Sequence, residues 1–509
     1  MKQVCVSFVL LCAPLIVAPS FAQSSAQASA PSATDVCQTG VYPAQWAWGS
    51  PVLKSRPASA TSGTPRMEQV RNGVVIATYA NLGGDAGYSL PNSQNGGDPS
   101  VGPFRRQPYT QWKSGDVFNI YPAIYNGAKM QLYIGPNFVN DAAYNAGQAD
   151  VPANITIRGI TVNGQRPVIV NPTTGASNSN YGQSLIYIDG QNSAGGTPST
   201  NITIENIDVI DSPSGGGIGK AAVYINGAAN MTLRDMRIAG FKQHNVNGVF
   251  ATGNNSGTLL LDGVELDSNG GDDGPSHNAY INASSIDPSF TFKVVGSWSH
   301  DSQYGHELKS RAQKTIVEGS YLSGRRATAG TQTEAYLLDV PDGGTLEARN
   351  NIFVKGYSGN QSNGASLTFG VESQDPTRSW GLTVEHNTFV ALSRYYDDAN
   401  HTLYPMFINT QTPGAKLVDS NIFIGYCTSN NATKDFRGSN FAILGFGDID
   451  LSFHPVIPQL TGRGAIVGTQ SYEHAAGKTP RTSKALGARD GAAKAGFGRI
   501  YPALNVVLD

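Results

Sequence analysis

Side chains that can move protons or bind ions are concentrated between residues 267 and 339. Only 14% of the 509 residues are charged, yet within this stretch three of the eight histidines lie close in sequence to a lysine and an arginine: His277, His300, His306, Lys309 and Arg311. It also contains several carboxylates: Asp267, Asp272, Asp273, Asp301, Glu307, Glu334 and Asp339. Imidazoles, cations and carboxylates in one place are typical of sites that perform acid–base chemistry.

These residue types fit the β-elimination of a polymer that contains uronic acids. The reaction needs a group that neutralises the sugar carboxylate, a base for the C5 proton and an acid for the leaving oxygen. Arg311 is the candidate for the neutralising charge, and Lys309 is the candidate base. His277 or His306 can protonate the leaving oxygen or exchange roles with Lys309, and the sequence leaves these alternatives open.

Further residues of the same stretch are candidates for binding the substrate or a metal ion. The predicted substrate contacts are Asn282, His300, Glu307, Tyr336 and Asp339. A Ca²⁺ ion is an alternative source of positive charge, because hard oxygen ligands are abundant here. Its candidate ligands are Asp267, Asp272, Asp273 and Asn282. No grouping of cysteines and histidines in the sequence suggests a structural zinc ion.

A short strand followed by a bend recurs at least nine times between residues 150 and 430. Examples are ITIRGITV from Ile155, ITIENIDV from Ile202 and TVEHNTFV from Thr383. The bends follow one another at intervals of 23 to 47 residues, and each has a small or polar residue: Gly159, Asn206, Asp235, Gly263, Gly296, Gly319, Asn350, His386 and Ser420. Such a period is typical of a solenoid with one repeat per coil. The sequence therefore predicts an all-β parallel β-helix.

A second family of strands alternates with the first, so equivalent side chains of successive coils are expected to stack along the axis. Because side chains alternate along a strand, an inward column implies an outward one beside it. The predicted inward column is Ile281, Leu308 and Leu338. The predicted outward column is Asn282, Lys309 and Asp339, with Glu307 and Arg311 on the same face.

Asparagine follows the bend directly in three successive repeats, at Asn351, Asn387 and Asn421. A buried carboxamide must find hydrogen-bond partners. We expect these three side chains to form an internal amide ladder with a structural role.

The ends of the chain differ from the repeats in composition. Lys2, the apolar run that follows it and the small residues Ser20 and Ala22 predict a signal peptide and a secreted or periplasmic location. We therefore divide the chain as follows: signal peptide 1–22, disordered leader 23–37, N-terminal cap 38–113, β-helix 114–450 and C-terminal tail or cap 451–509.

Two cysteines, Cys37 and Cys427, remain after the predicted signal peptide. In an oxidising compartment they can pair and attach the N-terminal segment to a late coil. Two unpaired thiols far apart are the alternative.

The charge pattern argues against two classes of partner. The formal net charge is −2, without the basic surface that nucleic acid requires. The sequence also has no basic amphipathic helix for a membrane surface. An acidic polysaccharide is the predicted partner, and we expect a monomer.

The runs SHNAYI, GHELKSRA, AYLLDVPDGG and RNNIFVKG resemble a group of secreted bacterial right-handed parallel β-helix proteins. The resemblance covers roughly residues 150 to 430 and places the chain near the pectate-lyase-like superfamily, which includes uronate lyases, polygalacturonases and alginate epimerases. It implies a right-handed coil, as the crossover rule does. The polygalacturonase pattern needs NTD, DD, GHG and RIK in successive coils. Of these the chain has Asp272-Asp273 and Gly305-His306 but neither NTD nor RIK.

Together these observations predict an extracellular polysaccharide lyase that cleaves an acidic polymer by β-elimination. A glycoside hydrolase or uronate epimerase acting on the same polymers is one alternative, with Asp273 and Asp301 as the carboxylates of a hydrolase. A noncatalytic polysaccharide-binding or surface protein is another.

Overall fold

The computed structural model describes residues 57–80, 82, 113–127, 132–135, 151–171, 184–190, 197–212, 218–271, 274–324, 335–355, 365–373, 377–391, 404–409, 414–419, 421–424, 441–443, 459–460 and 466–467. The predicted signal peptide and leader, both cysteines Cys37 and Cys427, the pair Asp272-Asp273, Glu334 and most of the predicted C-terminal tail lie outside these residues.

The chain folds as a parallel β-helix, as the sequence predicts. Each coil contributes one strand to each of three long sheets. The nine-stranded sheet contains Leu132–Ile134, Ile186–Asp189, Ala221–Asn226, Asn247–Ala251, Ala279–Ile281, Leu308–Ser310, Leu338–Val340, Ala365–Phe369 and Tyr404–Ile408. The eleven-stranded sheet contains Ile124–Asn126, Val168–Asn171, Asp208–Asp211, Arg237–Ala239, Glu265–Asp267, Trp298–His300, Tyr321–Ser323, Ile352–Lys355, Thr388–Ala391, Ile422–Ile424 and Phe441–Ile443.

The twelve-stranded sheet begins with an antiparallel hairpin and continues with parallel strands. Its members are Val74–Tyr79, Met67–Arg71, Val117–Ile120, Thr156–Gly159, Ser199–Glu205, Ala228–Arg234, Ser256–Asp262, Thr291–Val295, Lys314–Glu318, Thr345–Arg349, Gly381–Glu385 and Ala415–Asp419. The hairpin pairs with the first coil strand, Val117–Ile120, and so lies over one end of that sheet. Two short pairs complete the strands: Ala58–Ser59 with Gln165–Arg166, and Gln459–Leu460 with Ile466–Val467.

Alternation along the strands places one apolar residue per coil in each interior column. In the twelve-stranded sheet one such column is Ile157, Ile204, Leu233, Leu261, Val294, Val317, Ala348, Val384 and Val418, all of them buried. Each coil therefore packs on its two neighbours, which lets a solenoid grow beyond the size of an ordinary domain. Within the described residues there is no helix long and apolar enough to cross a membrane.

The bends between the twelve- and eleven-stranded sheets explain the Gly, Asn and Asp residues of the repeat. Seven of the nine predicted bend residues have a positive φ: Asn206, Asp235, Gly263, Gly296, Gly319, Asn350 and His386. This left-handed conformation is open to glycine and tolerated by Asn and Asp, whereas it is costly for most side chains. The small or polar residue at these seven bends is therefore a backbone requirement.

The predicted amide ladder is confirmed. Oδ1 of Asn387 accepts from the backbone N–H and the side chain of Asn351 at 2.9 and 3.0 Å. Oδ1 of Asn421 accepts in the same way from Asn387, at 2.9 Å for both bonds. The ladder also continues toward the N-terminus through Ser320 and Ser297, an extension that the sequence analysis did not foresee.

Candidate functional site

The register of the nine-stranded sheet corrects the predicted outward column. Lys309 pairs with Asp339 on one side, as expected, but with Tyr280 on the other. Leu308 therefore stacks on Ala279 and not on Ile281, and Asn282 stands beside Arg311 instead of Lys309. The prediction was wrong by two residues because it aligned Ile281 with Leu308.

Five charged side chains form what we call the charged cluster: Lys309, Arg311, Asp339, Asp342 and Glu372. Nζ of Lys309 lies 3.1 Å from Oδ2 of Asp339 and 3.1 Å from Oε1 of Glu372. The side chain of Lys309 is 11% exposed and that of Asp339 is 1% exposed, whereas that of Glu372 is 47% exposed. The cluster thus has a buried floor at Asp339 and an open side at Glu372.

The guanidinium of Arg311 completes the open side. It pairs with the carboxylates of both Asp342 and Glu372. Partial burial opposes the charge of Arg311, but these two partners outweigh burial and raise the pKa of its guanidinium. Partial burial also opposes ionisation of Glu372. The bond from Arg311 and the charge of Lys309 outweigh this effect and lower the pKa of the Glu372 carboxyl. Glu372 is therefore an ionised carboxylate held by two cations.

The floor of the cluster is supported by a stack of rings. The imidazoles of His277 and His306 stack at 4.6 Å, and the ring of Tyr336 stacks on His306 at 5.0 Å. The backbone N–H of His306 donates to Nδ1 of His277 at 2.8 Å, and the N–H of Tyr336 donates to Nδ1 of His306 at 3.1 Å. Each neutral ring must therefore carry its proton on Nε2. Nε2 of His306 lies 3.2 Å from Oδ2 of Asp339.

Burial controls the protonation of this floor. Both imidazoles are buried, and burial with the nearby Lys309 lowers the pKa of His277 and His306 well below 6.5. Burial raises the pKa of Asp339, with the charge of Lys309 acting against it. His277 is 1% exposed and His306 is 6% exposed, so in this arrangement neither reaches a substrate on the surface. Their geometry suits the support of Asp339 better than the predicted protonation of a leaving group.

Glu307 lies inside the coil, contrary to the prediction that it shares the outer face. It is fully buried, and its carboxylate accepts from Ser299 Oγ at 2.8 Å and from the backbone N–H of Ser302 at 2.9 Å. Asn278 also donates to it. Glu307 precedes the strand Leu308–Ser310, at the corner of the coil, where strand alternation does not apply.

His300 belongs to a second group on the eleven-stranded sheet, which the structure separates from the charged cluster. Its Nδ1 lies 2.8 Å from Asp301, and its Nε2 lies 3.6 Å from Glu265. The ring stacks on Trp298 at 3.5 Å. Burial opposes protonation of the ring, but the surrounding carboxylates outweigh burial and raise the pKa of His300 to about 9.

Of the four predicted calcium ligands, the structure describes two, Asp267 and Asn282, and it does not bring them together. Glu265, Asp267 and His300 are the group close enough to share an ion. Asp267 is paired with Arg237 at 2.6 Å, and Glu265 lies 3.3 Å from the same guanidinium. Ca²⁺ needs six to eight oxygen ligands, which these two paired carboxylates do not supply. Asn282 directly follows the strand Ala279–Ile281 of the nine-stranded sheet, and Asp272 and Asp273 are outside the described residues.

The second group predicts how stability depends on pH. The pKa of His300 rises from 6.5 in the unfolded chain to about 9 in the folded one, so its stabilisation is complete below pH 6.5 and is lost as pH rises toward 9. The loss is at most about 3 kcal/mol. His277 and His306 are neutral in this window because burial lowers their pKa values. In the wild type we expect the urea concentration at half unfolding to decrease as pH rises from 6.5 to 9. This decrease should disappear in His300→Gln, and an equal decrease in that variant would contradict the assignment.

Three residues of the site were missed by sequence reasoning: Tyr280, Asp342 and Glu372. Tyr280 was missed because the predicted register was wrong. Aligning the histidine of SHNAYI with the histidine of GHELKS places Tyr280 opposite Lys309, as in the structure. Asp342 and Glu372 follow their strands in turns, and Glu372 lies 63 residues from Lys309. The backbone N–H of Glu372 donates to the carbonyl of Pro341 at 2.9 Å, which fixes the turn over the cluster.

Comparison of the chain with family models, with curated proteins and with solved structures gave no match. The interpretation of the site therefore rests on its own geometry.

Proposed function

We propose that the chain is an extracellular protein that binds an acidic polysaccharide at the charged cluster and cleaves it by β-elimination. The observation that supports this most strongly is the position of Glu372. Its two oxygens are bound separately, Oε1 by Lys309 and Oε2 by Arg311. Two cations that hold one carboxylate in this way form a receptor for carboxylates. Glu372 is the most exposed member of the cluster, so the carboxylate of a uronic acid can take its place.

Three residues of the cluster can carry out the first half of the reaction, in which C5 loses its proton. With the uronate bound, Arg311 stabilises the negative charge that develops on the carboxylate when C5 loses its proton. Nζ of Lys309 transfers a proton to Asp339, which contacts it at 3.1 Å and whose carboxyl pKa is raised by burial. The amine then takes the C5 proton, and the C5–H electron pair forms the C4–C5 double bond.

Cleavage of the C4–O bond completes the elimination. The leaving oxygen takes a proton from the hydroxyl of Tyr280, which stands beside Lys309 on the adjacent strand. Proton exchange through water returns a proton to Tyr280 and resets the pair of Lys309 and Asp339. Nε2–H of His306, 3.2 Å from Asp339, holds that carboxyl in place, so His306 is a positioning residue in this scheme.

The same geometry argues against hydrolysis by Asp339 and Glu372. The oxygens of both lie 3.1 Å from one nitrogen, so they are closer than the roughly 6.5 Å minimum of an inverting enzyme. Asp339 is fully buried and cannot touch a glycosidic oxygen. Asp301 directly follows the strand Trp298–His300 of the eleven-stranded sheet and contacts His300, away from this cluster.

The proposal is tested by mixing the purified chain with pectate, alginate and glucuronan, with and without Ca²⁺, and following the ultraviolet absorbance of the unsaturated product. Absorbance should rise with at least one polymer. New reducing ends without absorbance would point to hydrolysis, and silence in both assays would favour a noncatalytic binding protein.

Replacing Glu372 with glutamine should lower KM about fivefold, because the exchanged carboxylate competes with substrate through partly exposed ion pairs worth about 1 kcal/mol. The turnover number should change little. Glu347→Gln is a matched control, since Glu347 is also paired with two cations, Lys314 and Arg349, but on the twelve-stranded sheet. A large fall in turnover for Glu372→Gln alone would mean that Glu372 takes part in the chemistry and is not merely displaced.

A further inference from the structure

A column of aromatic side chains runs along the outer face of the nine-stranded sheet and ends at the charged cluster. Its members, which we call the aromatic column, occupy paired positions on four successive strands: Tyr187, Tyr224, Phe250 and Tyr280. Neighbouring ring centroids are 5.1, 5.6 and 5.4 Å apart. The residues on either side of each ring along the strand are buried in the core, so the rings face outward and remain partly exposed.

A polar column lies beside the rings, two residues further along each strand. It consists of Asp189, Asn226, Thr252 and Asn282, and the next position in the column is Arg311. Asn226 is bonded to both neighbours, at 3.2 Å to Asp189 and 2.7 Å to Thr252. Asn282 accepts from the backbone of Ala283, but its amide N–H groups donate to no described residue. The last amide before the cluster thus presents free donors on the surface.

The two columns match the chemistry of an extended sugar chain. A pyranose ring has apolar C–H groups and hydroxyl groups, and the paired columns present aromatic edges and phenol hydroxyls next to amides and a hydroxyl. They repeat at the strand spacing of about 4.8 Å, which is close to the length of one sugar in an extended chain. A purely apolar partner would leave the amides unpaired, and the two columns contain no cation that could neutralise the phosphates of a nucleic acid.

We infer that the aromatic and polar columns bind about four sugar residues of a glycan strand that runs along the solenoid axis from the charged cluster toward the N-terminal coils. This inference rests on the proposed function for the position of the uronate at Lys309 and Arg311. The columns lead directly into those residues, because Tyr280 pairs with Lys309 and Asn282 adjoins Arg311.

The binding track extends to one side of the cluster. Beyond Lys309 the aromatic column is replaced by Asp339 and Thr368, which are both fully buried. Phe407 comes next in the same column and is 48% exposed, without an aromatic neighbour in the adjacent strand. Phe407 is therefore a control that shares the column, the face and the residue type of Phe250.

Native gel electrophoresis through gels that contain pectate, alginate or glucuronan measures binding without requiring cleavage. We expect retardation of the wild type by at least one polymer, and a dissociation constant about tenfold higher for Phe250→Ala. Tyr224→Phe, which keeps the ring and loses the hydroxyl, should weaken binding by a smaller factor and guards against misfolding of the alanine variant. Phe407→Ala should bind like the wild type. Thermal unfolding of each variant shows whether the fold is intact.

The outcomes separate this inference from the proposed function. Loss of retardation in Phe250→Ala but not in Phe407→Ala supports the track, even if no polymer is cleaved. Cleavage by a Phe250→Ala variant with unchanged retardation overturns the track and leaves the proposed function standing. Equal losses in Phe250→Ala and Phe407→Ala, or no retardation of the wild type in any gel, also overturn it.

Discussion

Replacing Arg311 with alanine is expected to lower the rate of β-elimination about 10³-fold, the upper range for loss of one charge-stabilising donor in an active site. The C5 proton is weakly acidic, so the reaction depends on a charge that neutralises the carboxylate as the proton leaves. Arg311 is the more exposed of the two cations that hold Glu372, at 21% against 11% for Lys309. The loss should appear mainly in the turnover number, measured by the absorbance of the unsaturated product.

The lysine variant of Arg311 distinguishes charge from geometry. Arg311→Lys keeps the positive charge but loses the fork that binds Asp342 and Glu372 together. We expect it to recover part of the lost rate. Arg349→Ala is the control, because Arg349 also joins two carboxylates, Glu347 and Glu385, on another sheet. Activity of Arg311→Ala within a few fold of the wild type, with Arg349→Ala equally active, would exclude Arg311 from the reaction.

The architecture could be predicted because it depends on features that repeat. A left-handed bend admits few residue types, so Asn206, Asp235 and Asn350 mark the coils in the sequence as they do in the structure. The asparagine ladder could be predicted for the same reason, since Asn351, Asn387 and Asn421 follow the bends directly. The steric requirement of the bends and the hydrogen bonds of the buried amides both recur once per coil, so both are visible as a period in the sequence.

The candidate site was predicted only in part, because it depends on features that do not repeat. The pairing of Lys309 with Asp339 follows from alternation. The partner of Lys309 on the preceding strand depends instead on how many residues the corner at Glu307 contains. Because of this corner the predicted register was wrong, and the neighbour of Lys309 is Tyr280 instead of the predicted Asn282. Glu372 reaches the cluster from a turn that is two coils further along the solenoid. No local pattern in the sequence specifies where that turn places a side chain.

Asn387→Leu should lower the free energy of unfolding by about 4 kcal/mol or more, although leucine is apolar and similar in size. Oδ1 of Asn387 accepts two bonds from Asn351, and Nδ2 donates to the carbonyl of Ala348 at 2.9 Å and to Oδ1 of Asn421 at 2.9 Å. Leucine removes these four bonds. It leaves the backbone N–H of Asn351 without its acceptor, whereas Oδ1 of Asn421 keeps the backbone N–H of Asn387 and Nδ2 of Asn351 keeps the carbonyl of Val317. Each lost bond costs about 0.5–1.5 kcal/mol and a buried group left unpaired costs about 1–3 kcal/mol. Gln313→Ala is the control, because the Gln313 side chain makes one exposed bond, to the carbonyl of Ser379, and its loss should cost less than about 0.5 kcal/mol.

The position of the loss should be as informative as its size. In a solenoid each coil is stabilised by its neighbours, so a defect between two coils uncouples those on either side of it. Limited proteolysis of Asn387→Leu in low urea should therefore release the coils after residue 387 first, while the coils that contain the charged cluster stay folded. A urea midpoint like that of Gln313→Ala would contradict the structural role of the ladder. Simultaneous cleavage along the whole chain would instead mean that the solenoid unfolds as one cooperative unit, with the ladder stabilising all of it.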